Sequence, residues 1–276
     1  MLAEINHQFS SQFQFAASYR FASSFDNASG PYQTSYYQYS SGAGWGPSDF
    51  NVGQSLKFYG VYSPNLFASK SWERSVLGGW TFSGIMNYHS GFPYSPVFNI
   101  GNCDIIYQGG NCQNGTNGSL LPAQYLGGAK TSHVNGTYLG LGGQFPNGGL
   151  AYFTPPSYTT CSLPFPQICP GAPQAPGIGK NEFTGPGYFD LDMVMIKAFA
   201  LPHIPGIGEG AQIQVQMSAF NLFNTLNLNN ISNTIASPKG FDSAGHVTGW
   251  TNNSTFGQAM GALGARTAEV QFKFVF

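Results

Sequence analysis

The stretch that decides the fold is Glu269-Val270-Gln271-Phe272-Lys273-Phe274-Val275-Phe276. Side chains of a strand alternate between its two faces, so Val270, Phe272, Phe274 and Phe276 fall on one side. Glu269, Gln271 and Lys273 fall on the other. A Phe-rich strand left bare on a soluble protein invites edge-to-edge aggregation. A transmembrane barrel has a use for it: the apolar face meets lipid, the polar face meets the lumen, and strand pairing hides the edge.

Composition agrees with that reading. The chain has 276 residues, enough for one large β domain, and only 8% are charged against about 25% in ordinary soluble domains. Aromatic residues make up 16%, yet no apolar run approaches the ~18 residues of a membrane helix. A mean hydropathy of −0.12 fits strands in which polar and apolar positions alternate. The net charge of −1 gives no electrostatic reason to expect nucleic acid as a partner. The opening Met1-Leu2-Ala3-Glu4-Ile5-Asn6-His7 has neither the basic nor the apolar part of a secretory signal. A barrel needs such a signal, so the expectation is that this chain is the C-terminal piece of a longer precursor.

Working back from the end, the same alternation recurs. From Phe13 to Phe25, the residues Phe13, Phe15, Ala17, Tyr19, Phe21 and Phe25 oppose Gln12, Gln14, Ser18, Arg20 and Ser24. A charge facing lipid at the midplane costs roughly 2–4 kcal/mol, which puts Arg20 in the lumen. Leu2 to Phe9 reads as the end of a preceding strand, with a tight turn at Ser10-Ser11. Further strands are expected over about Val52–Tyr62, from Trp80 to about His89, over Tyr188–Phe199, and from Gln212 to about Phe223. The last carries a bulge or the membrane rim at Phe220-Asn221-Leu222-Phe223. Lys197 falls on an apolar face near a strand end, where its stem can snorkel to the interface.

Between these strands, Asp26–Ser48, Ser90–Gly185 and Asn224–Gly264 are long and lack alternation, whereas the intervening connections are short. Bacterial barrels have short periplasmic turns and long external loops. The expected fold is therefore all-β: about seven strands of a larger antiparallel up-and-down transmembrane β-barrel. The barrel segment spans residues 1–276, with residues 90–185 as a long extracellular loop within it. Phe13, Phe15, Tyr19, Phe21, Phe58, Trp80, Phe82 and Phe272 are expected to point outward, exposed in an isolated chain.

Several segments resemble Oar-like TonB-dependent transporters. They are Phe13-Gln14-Phe15-Ala16-Ala17-Ser18-Tyr19 running into Ser24-Phe25-Asp26-Asn27-Ala28-Ser29-Gly30, and Gly78-Gly79-Trp80-Thr81-Phe82-Ser83-Gly84-Ile85 followed by Ser90-Gly91-Phe92-Pro93-Tyr94. To these are added Gly185-Pro186-Gly187-Tyr188-Phe189-Asp190-Leu191-Asp192 and Phe220-Asn221-Leu222-Phe223-Asn224. The resemblance implies the last strands of a barrel of about 22 strands with a plugged lumen, located in the bacterial outer membrane. It implies energy-dependent uptake of a ligand by the full-length protein, with this C-terminal segment not competent alone. The implied partners are outer-membrane lipid, the barrel assembly machinery, and the TonB complex through a missing N-terminal plug region. The final strand with Val270, Phe272, Phe274 and Phe276 resembles the signal that the assembly machinery reads. The alternative is a small self-contained barrel serving as an adhesin or passive pore. A soluble secreted β protein is a third reading, separable by detergent dependence.

No catalytic constellation is legible, and the protein is expected not to be an enzyme and to need no cofactor. Cys103, Cys112, Cys161 and Cys169 are candidate disulfides in loops placed outside the cell. Their spacing does not match the paired C-x2-C pattern of zinc sites. Three pairings are open, and the local one, Cys103–Cys112 with Cys161–Cys169, is the first expectation. The five His share no ligand spacing. Gly127-Gly128-Ala129-Lys130-Thr131 lacks the glycine before lysine and the flanks of a phosphate loop. Asp190 and Asp192 share a polar face, where water or a lumen Arg is the expected neighbour. Tyr32, Tyr36, Tyr37, Tyr39 and Trp45 in the first long loop fit an aromatic girdle better than a stacking site for ligand.

Overall fold

The computed structural model describes residues 1–10, 12–30, 44–65, 77–99, 120–122, 150–151, 179–202, 211–241, 247–253, 255–256 and 258–276. In chain order the strands are β1 (Leu2–Gln8), β2 (Phe13–Phe21), β3 (Phe25–Asp26), β4 (Gly46–Pro47), β5 (Gln54–Tyr62), β6 (Trp80–His89), β7 (Pro93–Tyr94), β8 (Val97–Asn99) and β9 (Leu120–Pro122). They continue as β10 (Leu150–Ala151), β11 (Phe183–Thr184), β12 (Tyr188–Ala200), β13 (Gln212–Phe220), β14 (Leu228–Ile231), β15 (Thr234–Phe241), β16 (Val247–Asn252), β17 (Gln258–Ala262) and β18 (Thr267–Val275). The long ones form a single seven-stranded sheet in the order β1-β2-β5-β6-β12-β13-β18, every pair antiparallel. Among the described residues the outer sides of β1 and β18 are unpaired, so the sheet is open.

Directly opposed residues share a face, and the register sorts the two faces by chemistry. One transverse row reads Phe13, Tyr62, Phe82, Met195, Met217, Val270. Another reads Ile5, Ala17, Phe58, Met86, Leu191. On the opposite face the rows read Glu4, Ser18, Lys57, Asn87, Asp190 and Gln8, Gln14, Val61, Ser83, Val194, Ser218, Glu269. Glu4, Arg20, Lys57, Asp190, Asp192, Glu269 and Lys273 all take the second face. Among the sheet's Asp, Glu, Lys and Arg, Lys197 alone takes the first, opposite Trp80 and Val215.

The eight aromatic residues expected to point outward do share the apolar face. Phe21 and Phe272 are more than half exposed, whereas the other six are half-buried. The reason is ring-on-ring packing along the face. Phe15 stacks on Phe58 at 5.8 Å, Tyr62 on Phe82 at 6.5 Å, and Phe82 on Trp80 at 6.0 Å. Gly60 sits opposite Phe15, where an added Cβ would come within 3.1 Å of the Phe58 ring.

The fully buried side chains are elsewhere. Phe183, Val97, Pro96 and Ser48 are the largest of them, and all lie in segments that join strands at one end of the sheet. That end carries connections 22–53, 90–187 and 221–266, and the opposite end carries 9–12, 63–79 and 201–211. Lengths therefore alternate as expected. The described parts of these long connections carry more strand than their sequence suggests, however. Residues 224–264 carry β14 to β17, which pair in small sheets with β8, β9 and β10. One ladder there, β8 with β15, is parallel. Apart from the β15–β16 hairpin, these pairings are between segments distant in sequence, so no local alternation announces them.

Strand ends also shift. β2 stops at Phe21, and Phe25 belongs instead to the short β3–β4 ribbon. β5 begins at Gln54 rather than Val52, and β18 ends at Val275, leaving Phe276 beyond it. At Phe220–Phe223 there is no bulge: β13 ends at Phe220 and the chain turns at Asn221, whose φ of 50° is left-handed.

Candidate functional site

Three features of this sheet bear on function: its sorted faces, its long-connection end, and its terminal edge. On the apolar face, Lys197 is 3% exposed. Its ammonium donates to the Gly78 carbonyl, just before β6, and lies 5.1 Å from the Phe199 ring centre and 5.7 Å from that of Trp80. Near this strand end, where a snorkel to the interface is expected, a strand-end carbonyl and two π faces satisfy the charge where lipid offers no partner.

On the polar face, no Arg among the described residues pairs with Asp190 or Asp192. Asp192 accepts the Asn221 backbone N–H at 2.9 Å, and Tyr188 hydrogen-bonds Asp190. Asn221 closes β13. Its Oδ1 accepts the Thr225 N–H at 2.8 Å, and its Nδ2 donates to the Thr225 and Gly264 carbonyls at 3.0 and 3.2 Å. Leu222 N–H donates to Leu191 O at 2.7 Å, and Arg266 N–H to Asn224 Oδ1 at 3.0 Å. A short amide side chain tolerates the left-handed region and can bond its own turn, which is why Asn stands at both ends of Asn221–Asn224. The polar face is not wholly polar: Tyr59 and Ile85, opposed in register, are more than a third exposed there.

At the long-connection end, residues far apart in sequence converge. Lys180, 5% exposed, pairs with Asp26 and donates to Ser29 Oγ at 3.0 Å. Ser29 in turn donates to the Asp26 carboxylate at 3.0 Å. Burial alone would raise the Asp26 carboxyl. Hydrogen bonds from Lys180, Ser48 and Ser29, with the Lys180 charge, outweigh it and hold the group below the usual carboxylate range. Asn181, at φ 57°, takes the Ser95 hydroxyl on its Oδ1 at 3.0 Å and gives its backbone N–H to Ser95 Oγ at 2.7 Å. Its Nδ2 reaches the Pro47 carbonyl and Asp49 Oδ1, each at 2.7 Å. Beyond it, β11 pairs with β7. No sequence signal marked this cluster, because its members belong to connections brought together only by the fold.

The terminal edge keeps its predicted pattern. Val270, Phe272 and Phe274 share the apolar face of β18 with Phe272 73% exposed. The Phe276 ring lies 5.5 Å from that of Phe274. Cys103, Cys112, Cys161 and Cys169 lie outside the described residues, as do Tyr32, Tyr36, Tyr37 and Tyr39. Trp45 is described, exposed and stacked on Phe25 at 6.5 Å.

Against known proteins, residues 1–269 match a family model described as "Outer membrane beta barrel domain". No curated protein and no solved structure matches the chain.

Proposed function

This chain belongs to the outer membrane beta barrel domain family and is a bacterial outer-membrane protein, and we propose that it supplies the C-terminal strands of a TonB-dependent transporter's barrel. On this reading the full-length protein takes up a ligand with energy from an inner-membrane complex. The long connections face outward, and these seven strands do not transport alone.

The observation that carries the proposal is the parity of the sheet. Six antiparallel steps separate β1 from β18, so these two edges run in the same direction. Pairing them directly, within one chain or around a ring of identically inserted copies, would be parallel. An all-antiparallel barrel therefore needs an odd number of strands beyond the seven that the described residues form, and seven is below the eight of the smallest bacterial barrels. This argues against the small self-contained barrel. The motifs that resemble TonB-dependent transporters support a transporter as the larger one. A plug, in place of a water-filled pore, is supported by Tyr59 and Ile85 on the lumen face, since a water channel favours a polar lining.

The test is in the source cells. An antibody raised against residues 267–276 should detect an outer-membrane polypeptide well above the 29.6 kDa of this chain. Formaldehyde should cross-link it to the inner-membrane energy-transducing protein. A heat-modifiable band at the size of this chain, with no such cross-link, would refute the proposal.

A further inference from the structure

We infer that Ser95, Asn181 and the Asp26–Lys180 pair form a latch that makes the three long connections one cooperative unit. The inference rests on the fold, not on the transporter reading. Each connection contributes a limb. The first supplies Asp26, Ser29, Pro47 and Asp49. The second supplies Ser95 on its outgoing limb and Lys180 and Asn181 on its return. The third supplies Asn233, whose Nδ2 donates to the Ser95 carbonyl at 3.0 Å and whose own carbonyl accepts the Val97 N–H at 3.0 Å.

Ser95 is thus held from two sides, by Asn181 through its hydroxyl and by Asn233 through its carbonyl. Asn181 in turn reaches the first connection through Pro47 and Asp49. The backbones are pressed close enough to transmit a shift. A Cβ on Gly46 would lie 2.3 Å from the Lys180 carbonyl oxygen, and one on Gly91 would lie 1.9 Å from that of Gly185. The buried Lys180 head and Phe183, 0% exposed, lock the return limb. A buried polar network gains from being complete, and an orphaned member costs more than its share. Loosening one limb therefore strips partners from the other two, which is reciprocal coupling. Ser95 on the outgoing limb of the second connection and Lys180 and Asn181 on its return limb both belong to this latch, so a shift in either limb reaches the other two connections.

Hydrogen exchange of the full-length protein in detergent, read by mass spectrometry, tests the latch. Asn181→Gly removes the side-chain bridges while keeping the left-handed backbone accessible. Exchange should rise roughly ten-fold, the size of one lost hydrogen-bond equivalent, in peptides covering 44–51, 93–99 and 228–234 alike. Exchange in β12 and β13 should be unchanged. Faster exchange confined to residues 179–184 would overturn the inference. If Asn181→Gly loses heat-modifiable mobility, Ser95→Ala is the second variant. It deletes only a hydroxyl and should raise exchange in 44–51 and 179–184 together; a rise restricted to 93–97 would overturn the inference equally.

Discussion

Met217 and Gln216 are adjacent near the middle of β13 and point to opposite faces. Met217 stands in the row Phe82, Met195, Met217, Val270, and Gln216 in the row Thr81, Ile196, Gln216, Gln271. Replacing each in turn by Arg asks the membrane which face it touches. At Met217 the guanidinium would enter lipid near midplane, at a cost of roughly 2–4 kcal/mol. That is about thirty- to several-hundred-fold in the folding equilibrium. At Gln216 the same charge would enter the polar lumen. The loss there is the 3.2 Å hydrogen bond to Ser218, about 0.5–1.5 kcal/mol. Lys197, the native charge on the apolar face, sits near the strand end beside Gly78, where the expected cost falls to about 0–1 kcal/mol. The assay is refolding of the full-length protein into lipid vesicles across a urea series, scored by heat-modifiable mobility. Met217→Arg should shift the midpoint well below that of Gln216→Arg. If Gln216→Arg proved as damaging or worse, the assignment of faces to lipid and lumen would be wrong.

Phe276 and Phe274 separate recognition from burial. Phe276 is 83% exposed and beyond β18, while Phe274 is opposed to Ile213 within the sheet. Burial, at most about 1.5–3 kcal/mol per ring, therefore makes Phe274→Ser the worse change. An assembly signal at the chain's last residue predicts lower outer-membrane levels for Phe276→Ser, and the reverse order in membrane fractions would remove that reading. At Asn221, Ala loses the cap and strains a left-handed φ, whereas Gly loses only the cap. Ala should be less stable than Gly by about 1–2 kcal/mol in denaturant titrations, and equal midpoints would count against a left-handed Asn221. The Asp26 carboxyl is depressed in the folded state. Its contribution is therefore complete above the ordinary value of about 4 and is lost as pH falls through the lower folded value. Pepsin cleavage within residues 22–53 should stay slow at pH 5 and rise only below about pH 4. Asp26→Asn should remove that step, and an unchanged profile would refute it.

Period-two alternation determined much by itself. It located all seven long strands, from Leu2–Gln8 to Thr267–Val275, because each must present one face to lipid and one to the lumen. That constraint is written residue by residue along the chain. It also put the charges of the sheet on one face, with Lys197 as the foreseen exception. The parity of connection lengths was legible for the same reason, since whatever lies between alternating segments must be a connection. The tertiary structure alone decided the rest. Residues 224–264 carry no alternation facing a membrane, so their strands became visible only through pairing with partners such as Val97 and Leu150. The Asp26–Lys180 pair spans 154 positions, and Ser95 and Asn181 meet across 86. Hydrogen bonds between turn residues depend on where the backbone brings them, not on any period. The lipid-facing sheet was therefore readable in one dimension, and the packed junction at its end only in three.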